Sequence, residues 1–325
     1  MEMGGYLPIE LVKGNSWFFS LPDDQVWALN TGRTSIWAAI TNLKPTRIFV
    51  PYYYCPDVIE MIESLCTSVC FYHLNEDLLP DPEELSSYSD GDCLILVDYF
   101  GILYPKLLSY VNQYPRLILD FCHSFYSSPV MKPGVYNVYS CRKFFGVSDG
   151  AYLIGQEIEK TDLPQDTSSE RSLHLLVSLE KGTNAAYKEN KTNEEVIGKE
   201  HLTMSPLTTA ILNGVNYDQV ALSRKQNYAF LRNRLGHLSN IELPQNDNVV
   251  PYCFPLVLDT DIHPALIQHK IYVPYLWQWL LDEKWNGNLE QRLSRNLIPV
   301  PLDQRYNADQ LEWMCNQIEE IIQEK

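Results

Sequence analysis

Lys143 stands in the stretch VYSCRKFFGVSDGAYLIG (138–155), after a β-rich run and before a short Ser-Asp-Gly turn that leads into a second apolar run. A lysine so placed is either a surface charge or, if partly desolvated, an amine neutral often enough to attack a carbonyl and form a Schiff base. Asp98 and Asp120 each end an apolar run of strand length. Open α/β sheets gather their ligand groups at the carboxyl ends of strands, although an aspartate there also makes turns and caps helices. In LILDFCHS (117–124) His123 follows Asp120 by three residues. A buried carboxylate could hold a proton on a ligand nitrogen while the histidine contacts a neighbouring oxygen. Cys122 beside His123 raises a thiol nucleophile instead, but adjacent residues at a strand end point apart. NTGRTSIWAAI (30–40) puts Gly32, Arg33 and Thr34 at the start of a helix, where free amides, a hydroxyl and a positive charge suit a phosphate and where Thr and Gly also serve as ordinary caps. In PYYYCPD (51–57), Tyr53 and Tyr54 could lie against a flat cofactor or simply pack.

The elements that must position these residues alternate between two periods. RIFVP (47–51), SVCFYHL (68–74), CLILVDYF (93–100) and RLILDF (116–121) read as strands, and PDVIEMIESL (56–65) has Val58, Ile59, Ile62 and Leu65 at helical spacing. Short, continuous apolar strands with helices between them predict a mainly parallel sheet layered with helices, an α/β domain. From Gly155 to about Leu202 the chain turns polar around one short helix candidate, LHLLVSL (173–179), as a solvated excursion or interface arm does. A long helical pattern runs from Ser205 and Pro206 to Leu235, broken near Gly214. The remainder reads as a smaller α+β unit: a strand at 252–258, a short helix in IHPALIQHK (262–270), an extended segment in IYVPYLW (271–277) and a terminal amphipathic helix with Leu311, Met314, Ile318 and Ile321 on one side. Pro251, Pro255 and Pro274 mark its strands as edges. The boundaries drawn are 1–204 for the large domain, with 156–203 as its excursion, 205–236 for a connector helix and 237–325 for the small domain.

Composition excludes several partners. The 325 residues hold 25 Lys and Arg against 41 Asp and Glu, a net charge of −16, which repels nucleic acid and anionic lipid. Eight cysteines (55, 66, 70, 93, 122, 141, 253 and 315) show no CxxC pairing and no zinc spacing, so reduced thiols and no metal are expected. The first twenty residues lack a basic end followed by a long apolar core, and no apolar run approaches the roughly 20 residues that cross a bilayer. The expectation is a soluble cytoplasmic protein.

Taken in order, the glycine turn, aromatic loop, strand-end aspartate and lysine resemble the fold type I pyridoxal-phosphate enzymes, and among them the DegT/DnrJ/StrS-type sugar aminotransferases. GRTSI (32–36) is similar to that family's GTAAL turn, VPYYYCPDVI (50–59) to its strand-end loop and VDYFG (97–101) to the strand before its cofactor aspartate. LDFCHS (119–124) resembles EDAAQ, and KFFGVSDGA (143–151) aligns without a gap on KNLTTGEGG. MSPLTTAIL (204–212) and SRKQNYAFL (223–231) are similar to its MTDLQAALGL and RRRENA helices. The resemblance implies an aspartate-aminotransferase-like large domain with a mainly parallel sheet between helices, a smaller C-terminal α+β domain, and pyridoxal 5'-phosphate (PLP) as cofactor. Lys143 would be the internal-aldimine lysine and Asp120 the partner of the pyridinium nitrogen, with His123 near the phenolic oxygen where the family usually has Gln. Gly32, Arg33, Thr34 and Ser140 would meet the phosphate, and Tyr53 or Tyr54 the ring. Val138 departs from the family, which carries a serine five residues before the lysine. The implied activity moves an amino group from an amino acid to a keto sugar, nucleotide-linked, in polysaccharide biosynthesis, in a homodimer with sites at the subunit interface. Elimination or other PLP chemistry, or a non-catalytic PLP-binding relative, are the alternatives. The retained Lys143 argues against the dehydratase branch, where histidine replaces it.

Overall fold

The structure, a computed structural model, describes residue 7 and residues 9–65, 68–242, 249–282 and 288–324. Its first part alternates β1 (Val26–Leu29), α1 (Gly32–Leu43), β2 (Arg47–Pro51), α2 (Pro56–Ser64), β3 (Ser68–Tyr72), β4 (Cys93–Val97), α3 (Tyr104–Val111), β5 (Leu117–Asp120), β6 (Val135–Ser140) and β7 (Ala151–Gly155). These strands form one seven-stranded sheet in the order β1-β7-β6-β5-β4-β2-β3. The five strands from β3 to β6 run parallel, and β7 pairs antiparallel with both β6 and β1. Leu94, Ile95, Leu96, Leu117, Ile118 and Leu119 are fully buried. Strands covered on both faces lose the apolar-polar alternation, which is why these read as unbroken apolar runs. Helices flank the sheet, with α1 lying against β6 and β7.

Register decides what the sheet presents at its edge. Val97, Asp120 and Val138 stand side by side in β4, β5 and β6, so these strands end together. Asp98, the turn at Cys122 and His123, and the stretch from Ser140 to Lys143 therefore emerge along one border.

The polar excursion folds into two helices, α4 (Leu173–Lys181) and α5 (Tyr187–Val196). α6 (Pro206–Asn213) and α7 (Tyr217–Leu235) follow, separated at Gly214 as expected. Ser205 caps α6 by accepting from the Thr208 amide. Beyond them lie β8 (Cys253–Val257), α8 (His263–Gln268), α9 (Leu289–Asn296), β9 (Leu297–Pro301) and α10 (Ala308–Gln323). β8 and β9 make a separate two-stranded antiparallel sheet packed on α7, with α10 also against α7. The expected extended segment at 271–277 is not a strand. Its last residue, Trp277, has φ 54°, and the partner of β8 is instead LIPVP, whose Pro299 faces Pro255 across the ladder. A two-stranded sheet has outward-facing ladder positions on both strands, so proline is tolerated in each. α10 buries Leu311, Met314, Ile318 and Ile321 as its pattern predicts, and opens on an Asn307–Gln310 capping box.

Among the described residues no helix is long and apolar enough to cross a membrane. No group of His, Cys, Asp or Glu side chains there is placed to hold a metal ion. Cys55, Cys70, Cys93, Cys122, Cys141, Cys253 and Cys315 are free thiols, and Cys66 lies outside the described residues.

Candidate active site

Asp120 closes β5 and is 5% exposed. Its Oδ1 accepts from the Cys122 amide at 2.9 Å and its Oδ2 from the Tyr54 hydroxyl at 2.6 Å. Two donors hold the carboxylate in one orientation at the sheet border. The reverse turn that begins there carries His123 back over the border, 2% exposed, with Nε2 2.8 Å from Lys143 Nζ.

The other side of the imidazole is fixed by backbone. Phe100 adopts φ 62°, a left-handed conformation uncommon for a non-glycine residue, and so aims its amide at His123 Nδ1, 3.3 Å away. A ring nitrogen that accepts carries no proton, so the neutral ring is the Nε2–H tautomer, with that N–H directed at Lys143. Burial pushes the His123 pKa well below the usual histidine range and keeps the ring neutral. The next residue, Gly101, has φ 77°, and a Cβ there would stand 2.4 Å from the His123 carbonyl oxygen. Only glycine allows this turn to lie against the histidine. The small domain completes the enclosure. Tyr252 donates its amide to the Phe100 carbonyl at 2.8 Å and stacks its ring on His123 at 4.8 Å, while Trp277 lies parallel at 6.1 Å.

Lys143 is half-buried, with Nζ 5.5 Å from the Tyr252 ring centre. The turn that follows it is pinned by Asp149, fully buried, whose carboxylate accepts from the Ser205 amide at 2.8 Å, the Ser205 hydroxyl at 2.7 Å and the Thr208 hydroxyl. An acid at the start of α6 is favoured by the helix dipole, and the bond ties the lysine turn to the rigid start of that helix. Gly150, at φ 117°, permits the approach, since a Cβ there would meet Thr208 Cγ2 at 2.9 Å. Arg142 pairs with Glu194, and burial brings its pKa down to about 10.

α1 begins beside this group. Thr31 caps it by accepting from the Thr34 amide at 3.1 Å, and the Thr34 hydroxyl donates to Asn30 Oδ1 at 2.7 Å. The Gly32 and Arg33 amides meet no backbone or side-chain acceptor among the described residues. A Cβ on Gly32 would lie 2.9 Å from Cys122 Sγ, so the helix start abuts the turn between Asp120 and His123.

The structure thus brings Lys143, His123, Asp120, Tyr54 and the start of α1 to one border. The Arg33 guanidinium is turned away, bound to Asp57 at 2.5 Å and to the Gly198 carbonyl at 3.0 Å. Tyr53 is buried, set edge-on to Trp277 at 4.4 Å, and its hydroxyl has no partner among the described residues. Ser140 lines a cavity with Lys143, whereas Val138 is buried within the sheet next to Asp120. Asp98 is a turn former: its Oδ1 accepts from the Leu103 amide at 2.7 Å, and burial pushes its carboxyl pKa up to about 6. Burial, with Asp120 adding, raises the Cys122 pKa far above the usual thiol range, which rules against a thiol nucleophile. Sequence reasoning missed Phe100, Gly101, Asp149, Tyr252 and Trp277. The Phe-Gly pair after a strand-end aspartate was the one local signal among them.

No protein-family model matches the chain, and no curated protein does. Solved structures do. A sugar aminotransferase from Micromonospora echinospora superposes with TM-score 0.60 at 12% identity over 91% of this chain and 87% of that one. A DegT DnrJ EryC1 StrS aminotransferase from Brucella abortus gives TM-score 0.62 at 12% identity over 91% and 85%. The ntda protein of Bacillus subtilis, with bound cofactor PMP, gives 0.59 at 11% identity over 92% and 73%. The chain has the fold of these aminotransferases. Lys143, His123 and Asp120 meet at one border of its large sheet.

Proposed function

We propose that this chain is a PLP-dependent aminotransferase that moves an amino group from an amino acid to a nucleotide-linked keto sugar. One observation carries the reading: in a fold shared with sugar aminotransferases, one border gathers a lysine, a strand-end carboxylate, a neutral histidine and a helix start with free amides.

The donor set fits PLP. A carboxylate suits a protonated ring nitrogen, an amine suits an aldehyde, and free amides at a helix start suit a phosphate. Asp120 would hold the ring nitrogen, and Tyr54 and the Cys122 amide hold Asp120. The Gly32 and Arg33 amides and the Ser140 hydroxyl would hold the phosphate, with Thr34 bracing the turn beneath them. Tyr53 backs the Tyr54 loop. Bound PLP supplies an electron sink for negative charge at the donor's Cα. Lys143 Nζ takes the donor's Cα proton, and His123, through Nε2–H, keeps that amine in place. The aromatic cover from Tyr252 and Trp277 shields His123, and the side of the amine that it meets, from water.

The boundaries at 1–204, 205–236 and 237–325 give such an enzyme a large lobe, a connector and a small lobe. We assign it to a homodimer: α4 leaves Leu173, Leu176 and Leu179 exposed and α5 begins at exposed Tyr187, an apolar surface that suits a second copy. The free thiols accord with the reducing cytoplasm, and polysaccharide biosynthesis is the setting we assign. Adding glutamate to the PLP-loaded protein tests the reaction. Pyridoxamine phosphate and 2-oxoglutarate are expected in equal amounts. Release of ammonia without pyridoxamine phosphate would point to elimination instead.

A further inference from the structure

Asn30 stands between the end of β1 and the Thr31 cap of α1, and it is 1% exposed. Each of its polar groups is bonded. The backbone amide donates to the Leu202 carbonyl at 3.0 Å, and the backbone carbonyl accepts from the Gly150 amide at 2.6 Å. In the side chain, Nδ2 donates to the Glu200 carbonyl at 3.1 Å and Oδ1 accepts from the Thr34 hydroxyl at 2.7 Å. A carbonyl can only accept, so the amide nitrogen must face Glu200, which leaves Oδ1 for Thr34. Aspartate has no donor for the first bond and an apolar side chain makes neither.

These bonds join two loops that carry different parts of the border. The Gly150 carbonyl accepts from the Cys141 amide at 3.0 Å, two residues before Lys143. Gly150 therefore closes the loop that holds the lysine, and its own amide hangs that loop on Asn30. On the other side Thr34 is bonded through its amide to the Thr31 hydroxyl and through its own hydroxyl to Asn30. The first turn of α1, with the Gly32 and Arg33 amides, is thereby fixed to the same residue. From Cys141 through Gly150 and Asn30 to Thr34 no bond exceeds 3.0 Å. The third anchor, through Glu200 and Leu202, leads directly to Ser205, which holds Asp149 of the same lysine loop. A ligand with an aldehyde at one end and a phosphate at the other must meet both loops at once, and a separation fixed beforehand spares the cost of ordering them.

We propose that Asn30 is a positioning residue that holds the amides at the start of α1 in register with the Lys143 loop, so that one ligand reaches both. The clamp stands on the hydrogen bonds of Asn30 alone; its use by PLP rests on the aminotransferase reading.

The test uses the full chain, prepared without cofactor, and compares PLP with pyridoxal, which has the aldehyde but no phosphate. Both affinities are read from the visible band, and their ratio isolates the phosphate's share. A change that merely loosens the fold weakens both ligands and leaves the ratio as it was. Asn30→Ala lowers the preference for PLP over pyridoxal about 10- to 100-fold, the worth of one hydrogen bond to a charged group. An unchanged ratio overturns the proposal, whether both affinities fall or neither does. If circular dichroism shows Asn30→Ala unfolded, Thr34→Val decides by the same ratio, because it removes the hydroxyl that Asn30 receives; Thr34→Ser, which keeps the hydroxyl, retains the preference. Amide hydrogen exchange, measured without ligand, separates the two readings. If the wild type gives no band with PLP, the cofactor reading fails, and faster exchange at both 31–36 and 141–150 in Asn30→Ala still supports the clamp. A band in the wild type with exchange unchanged in Asn30→Ala sinks the clamp alone.

Discussion

Replacing Gly101 by alanine tests whether the turn after β4 sets the position of His123. Two costs add. At φ 77° an L-residue sits in left-handed space, a penalty of about 1–2 kcal/mol. The new Cβ would also stand 2.4 Å from the His123 carbonyl oxygen and 3.3 Å from Pro251 Cα, both backbone atoms that cannot rotate aside. Overpacking of this kind costs about 1–3 kcal/mol, so the total is about 2–5 kcal/mol. Gly198 provides the control, since it has φ 78° and its would-be Cβ meets only side-chain atoms of Arg33 and Thr31, at 3.4 Å. Gly198→Ala bears chiefly backbone strain, and the excess for Gly101→Ala measures the clash. Urea unfolding followed by tryptophan fluorescence reads both values. The same clash shifts His123 from the Phe100 amide, so nitrogen NMR of the imidazole reports loss of the single Nε2–H tautomer. Equal losses of stability in the two variants, with the His123 tautomer unchanged, would show that Gly101 does not set the position of His123.

Asp98 gives a pH dependence of defined sign. Its folded pKa, about 6, lies above the ordinary 3.8, so its contribution is full below pH 4 and is lost as pH rises through 6. The loss at neutral pH is about 3 kcal/mol. Asp98→Asn keeps the acceptor for the Leu103 amide, and its urea midpoint should gain on the wild type between pH 4 and 7; parallel profiles would contradict the burial of a charged Asp98. Tyr54→Phe removes a buried donor from the Asp120 carboxylate and should cost about 1.5–3 kcal/mol in urea unfolding, whereas a neutral outcome would mean the 2.6 Å bond adds nothing. Asp149→Asn weakens the anchor between the lysine turn and α6, and proteolysis should then cut faster within residues 143–150; an unchanged cleavage pattern would show that the turn holds without it.

The large domain was legible because its strands are buried on both faces and read as apolar runs: 47–51, 93–97 and 117–120 needed no tertiary information. β1 was missed because four residues at the edge of the sheet give no period. α5 was missed because its eight residues between Tyr187 and Val196 are all polar. It is tied down by Asn193, whose Nδ2 donates to the Ser148 carbonyl and whose Oδ1 accepts from Arg171, rather than by an apolar face. β9 was hidden by Pro299 and Pro301, which forbid a central strand but not an edge. At the site, Asp120, His123 and Lys143 could be found because strand ends mark themselves in sequence. Tyr252 and Trp277 could not, because they arrive from elements far along the chain and nothing in their local spacing signals a destination.

Whether Lys143 is the cofactor-binding amine, as proposed, is read in a visible spectrum. Wild-type protein mixed with PLP and passed through a desalting column should retain a visible absorbance band, and Lys143→Ala, treated identically and shown folded by circular dichroism, should lose it. A wild type without the band, or a Lys143→Ala variant that keeps it, would contradict the claim.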